Sequence, residues 1–193
     1  MWGRTDLGTV PPGAFALLEH YTSFRQRSGE PPRWPYASGV LEVLPGSGDL
    51  YPDFSLAIFQ LHLEFALPRM PEAPERNRAN SGVYLDGRYE IQLLDSLELP
   101  PGPDTCGAIY GRRAPDYNAA LPPLSWQALD VAYRRHGEAA SITAFLNGVL
   151  IHNQVLVDDP TAGALLEGPR PVILLQDHGA PVRFRNIWVL PSR

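Results

Sequence analysis

Residues 80–95 read NSGVYLDGRYEIQLLD, which puts two carboxylates and an amide in and just beyond one short strand. Side chains alternate faces along a strand, so Glu90 and Gln92 share one face while Tyr89, Ile91 and Leu93 share the other. Asp95 falls on the second face of a regular strand, and a single bulge returns it to the first. Carboxylates held in this way can serve as base and acid, or as nucleophile and acid. A second group, Gln176-Asp177-His178-Gly179, follows the apolar run 172–175. A histidine at a strand end beside an acid can move a proton near neutral pH or ligate a metal, and it can equally cap the backbone of a turn. Arg183 and Arg185 supply fixed positive charge, either to an oxyanion or to a carboxylate partner. His62 with Glu64 forms a further polar pair. Tyr84, Tyr110 and Trp126 are rings that can stack on a sugar or fill a core.

The elements that must position these groups read as strands. Residues 58–65 alternate cleanly, with Phe59, Leu61, Leu63 and Phe65 against Gln60, His62 and Glu64, the pattern of a half-buried strand. Strands are also expected at 39–44, on both sides of Asp86-Gly87, at 107–110, 126–133 and 172–175, and at 182–190, where Arg183 and Arg185 oppose Val182 and Phe184. Residues 141–146 meet 149–152 across Asn147-Gly148, a hairpin turn whose two central positions need positive φ. The first 36 residues, broken by Pro11-Pro12-Gly13 and Pro31-Pro32, read as an opening strand and a long surface loop, and 69–78 and 112–124 read as loops. No amphipathic helix of three turns is visible. About a dozen short strands without crossover helices predict an all-β fold, an antiparallel two-sheet sandwich of jelly-roll type.

The bulk properties narrow the partners. A chain of 193 residues makes one domain with a substantial core. Net charge −5 and a pI near 5.5 provide no basic field, so neither nucleic acid nor an anionic membrane surface is an expected partner. No stretch approaches the roughly 20 apolar residues of a membrane helix. The lone Cys106 excludes an intrachain disulfide and reads as a buried thiol. No glycine-rich dinucleotide loop precedes a helix, so NAD is not expected to bind this chain. Residues 1–15 lack a basic region followed by an apolar core, so no signal peptide is visible and the location stays unassigned.

The spacing Glu-x-Gln-x-x-Asp resembles the Glu-x-Asp-x-x-Glu strand of laminarinase-type glycosidases, but Gln92 stands where a carboxylate is needed for a retaining mechanism. Four longer motifs, NSGVYLDGRYEIQLLDS, CGAIYGRRAPDYNAALPPLSWQALDVAYR, ITAFLNGVLIHNQV and ILLQDHGAPVRFRNIWVLP, together resemble the 3-keto-disaccharide hydrolase family, also described as 3-keto-glycoside hydrolases or lyases. This resemblance implies one concanavalin A-like jelly-roll domain over residues 1–193, with 1–38 irregular. It implies a secreted or periplasmic setting and an oxidised glycoside as substrate. A C3 carbonyl acidifies the C2 hydrogen, and loss of that proton lets the C1 substituent leave by β-elimination, with hydration completing net hydrolysis. Such chemistry needs a base, an enolate stabiliser and an acid, but no carboxylate nucleophile, which suits Gln92. The implied roles are Glu90 or His178 as base, Asp95 as acid or orienter, and Arg183 with Gln92 and Gln176 on the keto or enolate oxygen. Asn80 would hold a hydroxyl, with Tyr110 and Arg185 as further substrate contacts. A divalent metal on Glu90 and His178 would be an alternative electrophile. The competing expectations are a carbohydrate-binding module that does not cleave its ligand, and a purely structural domain.

Overall fold

A computed structural model describes residues 9–165 and 170–192. Among them the chain forms thirteen strands: β1 (Phe15–Ala16), β2 (Phe24–Gln26), β3 (Tyr36–Ala37), β4 (Val40–Glu42), β5 (Leu50–Pro52), β6 (Ile58–Ala66), β7 (Ser81–Leu85), β8 (Tyr89–Leu93), β9 (Trp126–His136), β10 (Ala139–Leu146), β11 (Val149–Val157), β12 (Ile173–Leu175) and β13 (Arg183–Pro191). They build two antiparallel sheets. The larger runs β11-β10-β9-β6-β13-β4-β3, with β1 also on β13, and the smaller runs β2-β5-β12-β7-β8. This is the expected jelly-roll sandwich.

Alternation drives the packing. Phe59, Leu61, Leu63 and Phe65 of β6 are buried and join Leu129, Val131 and Tyr133 of β9 in one apolar cluster with Val83, Leu85, Ile91 and Leu93 of the smaller sheet. Burying one such side chain contributes about 1.5–3 kcal/mol, so the inner faces of both sheets fix the register of every strand. Rings tie the layers together, with Tyr133 stacked at 5.0 Å on Phe59 and tilted at 6.5 Å from Tyr89 of β8. Both hairpins close as their residues predict. Asp86 and Gly87 have φ of 54° and 65°, Asn147 and Gly148 of 52° and 78°, the left-handed pair that a type I′ turn requires.

Residues 9–38 are more ordered than their prolines suggest, and the expectation of an irregular segment over 1–8 lies outside the described residues. β1 pairs β13, β2 pairs β5, and a 3₁₀ turn at Leu17–Ser23 buries Leu17 and Leu18. Phe24 and Trp34 enter the core, and Trp34 Nε1 donates to Gly48 O at 3.0 Å. The apolar side chains in this segment outweigh its turn signals. β5 also escaped the strand pattern because it is short and carries Pro52, tolerated where few ladder bonds are needed. At 107–110 only isolated bridges form, through Ile109.

Phe184 is fully buried and stacks against Trp34 at 6.3 Å. Phe184→Ala is expected to cost about 3–5 kcal/mol of stability, read as a lower denaturant midpoint with an unchanged slope.

Candidate functional site

β7 and β8 pair with Val83 opposite Ile91, Tyr84 opposite Glu90 and Gly82 opposite Gln92. Val83, Leu85, Ile91 and Leu93 point into the core, so Gly82, Tyr84, Glu90 and Gln92 stand on the outer face of the smaller sheet. Yet Glu90 is only 2% exposed. Two things bury it. The first is β8 itself, an edge strand whose free backbone is covered by loops: Gln92 N donates to Ala108 O (2.9 Å), Tyr110 N to Glu90 O (3.0 Å), and Glu90 N to Thr161 Oγ1 (3.0 Å). The second is Gly82. A Cβ there would lie 2.2 Å from Glu90 Oε1 and 2.8 Å from its Cγ and Cδ, so the carboxylate lies across a residue that has no side chain. The Asn80-Ser81-Gly82 triplet reads as a turn from its residue types, but Gly82 is inside a strand because a close approach needs it.

Asn80, Tyr84, Glu90, Gln92, Gln176 and His178 line one cleft of about 210 Å³, with Tyr110 and the Ala162-Gly163 backbone closing its sides. Hydrogen bonding assigns the Gln92 amide with its nitrogen towards Ser81 O at 2.8 Å and Glu90 Oε1 at 3.2 Å, because the opposite orientation sets its oxygen against acceptors alone. Tyr84 Oη donates to Ala162 O at 2.7 Å, and Gln176 Nε2 donates to Tyr84 Oη at 3.2 Å. Gly163 passes so close that a Cβ would come 2.6 Å from Tyr84 Oη. Arg27 holds this loop from outside, donating to Gly163 O at 3.0 Å, and stands 3.6 Å from Asp49. Asp49 in turn accepts from Asp177 N at 2.9 Å, while Asp177 accepts from Gly48 N and Gly179 N. Asp177 therefore shapes the turn that carries His178 to the exposed rim.

The electrostatics follow from this burial. Loss of solvent pushes the Glu90 carboxyl up to about 7; the adjacent Tyr84 hydroxyl opposes the rise and the Asp49 charge adds to it. Burial, reinforced by Glu90, also moves the Tyr84 phenol far above its ordinary value. Cys106, which is 1% exposed, has a thiol pushed up to about 11 by burial and is an inert core residue.

Several sequence-singled residues lie elsewhere. Asp95 follows the end of β8 and Leu94, which is buried, so no bulge returns it to the Glu90 face. Its N–H donates to Arg78 O, and its side chain lines a separate depression with Arg69, Glu75, Arg78 and Glu98. Arg183 and Arg185 belong to β13 of the larger sheet, where both guanidinium groups lie over the Trp126 ring, at 5.6 and 4.1 Å, and Arg185 pairs with Glu64 at 2.6 Å. The adjacency of 176–178 and 183–185 in the chain does not bring them together, because β12 and β13 join different sheets. His62 is fully buried, 2.7 Å from Asp130 and stacked on Trp188. Among the described residues no three His, Cys, Asp or Glu side chains stand together as metal ligands. Glu90 and His178 alone do not make a closed metal site, so no step below passes through a metal.

The profile of the 3-keto-alpha-glucoside-1,2-lyase-like domain matches residues 18–190. The chain belongs to this family. No curated protein sequence matches it. Among solved structures, the chain is similar to a proposed glycosyl hydrolase from Parabacteroides distasonis ATCC 8503. That likeness has a TM-score of 0.80 at 27% identity, over 95% of this chain and 86% of the other. A second proposed glycosyl hydrolase from the same organism shares the fold, with a TM-score of 0.71 at 18% identity over 96% and 99% of the two chains. The carbohydrate-binding module CBM66 of Bacillus subtilis shares the architecture more distantly, with a TM-score of 0.52 at 11% identity over 86% and 94%.

Because the Glu90 carboxyl ionises near 7 when folded and near 4.5 when free, the folded state holds a proton that the unfolded state releases between those values, and stability falls as pH rises through that window. Glu90→Gln keeps the shape without the charge. It is expected to be more stable than the parent above pH 7, by on the order of 2–3 kcal/mol, with the gain vanishing near pH 4.5, as read by urea unfolding at both pH values.

Proposed function

We propose that this protein is a glycoside-processing enzyme that cleaves the glycosidic bond of a 3-keto-glycoside by β-elimination, with Glu90 as the base that removes the C2 proton. The observation that carries the reading is a carboxylate buried beside Gly82 at the floor of a polar cleft and poised to ionise near neutral pH. Family membership and the likeness to proposed glycosyl hydrolases support it. A base acts best when its pKa lies near the working pH, and loss of water at the site strengthens every charge interaction there.

In the proposed reaction, ionised Glu90 takes the hydrogen from C2, and the C–H electron pair becomes the C2=C3 double bond of an enolate. The C3 oxygen carries the developing charge towards the donors of Asn80 and Tyr110, which line the same cleft. Collapse of the enolate restores the C3 carbonyl, forms a C1=C2 double bond and breaks the bond from C1 to the leaving oxygen. That oxygen receives a proton from His178 at the rim, which regains one from solvent. Protonated Glu90 then returns its proton to C2 as water adds at C1 and gives up its own proton to solvent, giving net hydrolysis, or the unsaturated sugar departs first and Glu90 loses its proton to solvent. No nucleophilic carboxylate is used, consistent with Gln92 beside the base and Asp95 outside the cleft.

The assay is release of aglycone from a 3-keto-glucoside. Glu90→Gln is expected to lower kcat/KM by about 10²–10⁴-fold, and the parent enzyme should show an acid limb with a midpoint near 7, set by Glu90. Gly82→Ala, by displacing the carboxylate, should lose activity to a similar extent, whereas Asp95→Asn and Arg183→Gln should stay within about threefold of the parent. Full activity in Glu90→Gln sinks the assignment of the base.

A further inference from the structure

Among the described residues that line the cleft, one buried polar atom has no hydrogen-bond partner. Gln176 Oε1 is buried and accepts no hydrogen bond among the described residues. An amide can normally turn over to exchange its oxygen and nitrogen, so an unpartnered oxygen signals a site only if something prevents that rotation. Tyr84 prevents it.

The phenolic oxygen of Tyr84 lies 2.7 Å from the Ala162 carbonyl and is flanked by the Glu90 carboxylate. With Glu90 ionised, the state in which the base acts, both neighbours accept hydrogen bonds and neither donates one, so the single Tyr84 proton is committed to one of them whichever is favoured. The Tyr84 oxygen can therefore only accept from Gln176, and the contact at 3.2 Å requires the amide nitrogen on that side. Turning the amide over would set its oxygen against an oxygen whose proton is already used. The approach of Gly163, where a Cβ would stand 2.6 Å from Tyr84 Oη, keeps the phenol from moving away. The Gln176 backbone is equally fixed, its N–H on Gly82 O at 2.9 Å and its carbonyl accepting from Ser81 Oγ at 2.8 Å.

We infer that Gln176 Oε1, locked as an acceptor by the Ala162-Tyr84 relay, reads one hydroxyl of the substrate as a hydrogen-bond donor, and that Tyr84 is the positioning residue for this selection. The inference rests on the sugar reading of the cleft given above, and it reverses the role that the motif implied for Gln176. An acceptor oxygen repels a keto or enolate oxygen, so Gln176 binds away from C3. The floor of the cleft thus favours a ligand that brings donors, such as the free hydroxyls of a sugar ring, and disfavours one whose hydroxyls are alkylated or missing. A buried acceptor left unpaired by an analogue without the hydroxyl carries the full cost of its lost hydration, which makes such a site discriminating.

The test compares a 3-keto-glucoside with analogues deoxygenated singly at C4 and at C6, measuring kcat and KM separately. The parent enzyme is expected to show about a tenfold rise in KM for one of the two analogues. Gln176→Leu is expected to treat that analogue and the parent sugar alike. Tyr84→Phe, which keeps the ring but frees the amide to turn, should reduce the discrimination to below about threefold, whatever its effect on kcat. A discrimination ratio in Gln176→Leu or in a folded Tyr84→Phe equal to that of the parent enzyme overturns the inference, as does an absence of discrimination in the parent enzyme. Failure of the parent enzyme to turn over the 3-keto-glucoside at all overturns the functional reading and this inference with it, so the two failures are distinguishable.

Discussion

A carboxylate can sit dry on the face of a β-sheet only if a neighbouring strand gives it space, and here Gly82 gives that space to Glu90. Much of the cleft follows from this contact. Because the carboxylate lies flat across β7, loops can close over it and bond the open edge of β8, which also removes an exposed edge from the smaller sheet. Because those loops close, water is excluded and the carboxyl rises to a pKa of about 7. The same closure presses Gly163 and the Ala162 carbonyl onto Tyr84 and so fixes the amide of Gln176. Arg27 and Asp49 brace the arrangement from outside. The fold tolerates an ionisable group that works against its stability near neutral pH, a cost characteristic of catalytic sites.

The sandwich has two outer faces, and both carry polar clusters. On the larger sheet His62 bonds Asp130 at 2.7 Å, Asn186 reaches His62 at 3.2 Å and Glu64 at 3.0 Å, and Arg185 closes on Glu64 and Trp126. Each of these charged or polar groups is answered by another, which describes a structural network. On the smaller sheet an acceptor stays unanswered and a carboxylate stays poorly solvated. Residue types alone make the two clusters look equally capable of chemistry. The pairing of their charges separates them: Glu64 on the larger sheet has Arg185 beside it, whereas Glu90 on the smaller sheet lies in a cleft with no guanidinium among its described lining residues.

The architecture was largely legible in the chain. Period-two alternation at 58–65 and the Asp86-Gly87 and Asn147-Gly148 turns lead directly to β6 and the two hairpins, because burial of one face and positive φ are local demands that residue types express. The shared face of Glu90 and Gln92 was legible for the same reason. Which strands would be neighbours was not. Arg183 and Arg185 lie seven residues or fewer from His178, yet β12 and β13 enter different sheets, a choice made by inter-strand packing that no short pattern records. Asp95 depended on whether β8 continued past Leu93, and the burial of Leu94 ends that question. The residue types of Asn80-Ser81-Gly82 favour a turn, and the strand that forms there instead needs glycine at 82 for the close approach of Glu90.

The central claim is that Glu90 takes the proton from C2, and exchange of that proton tests it without requiring bond cleavage. A 3-keto C-glycoside has no exocyclic leaving oxygen at C1, so an enzyme that enolises it will exchange the C2 hydrogen with solvent without releasing an aglycone. Incubated in D₂O and followed by NMR, such a sugar is predicted to take up deuterium at C2 with the parent protein and to exchange at the uncatalysed rate with Glu90→Gln. Undiminished exchange with Glu90→Gln, or no exchange with a parent protein that cleaves the corresponding O-glycoside, would contradict the account.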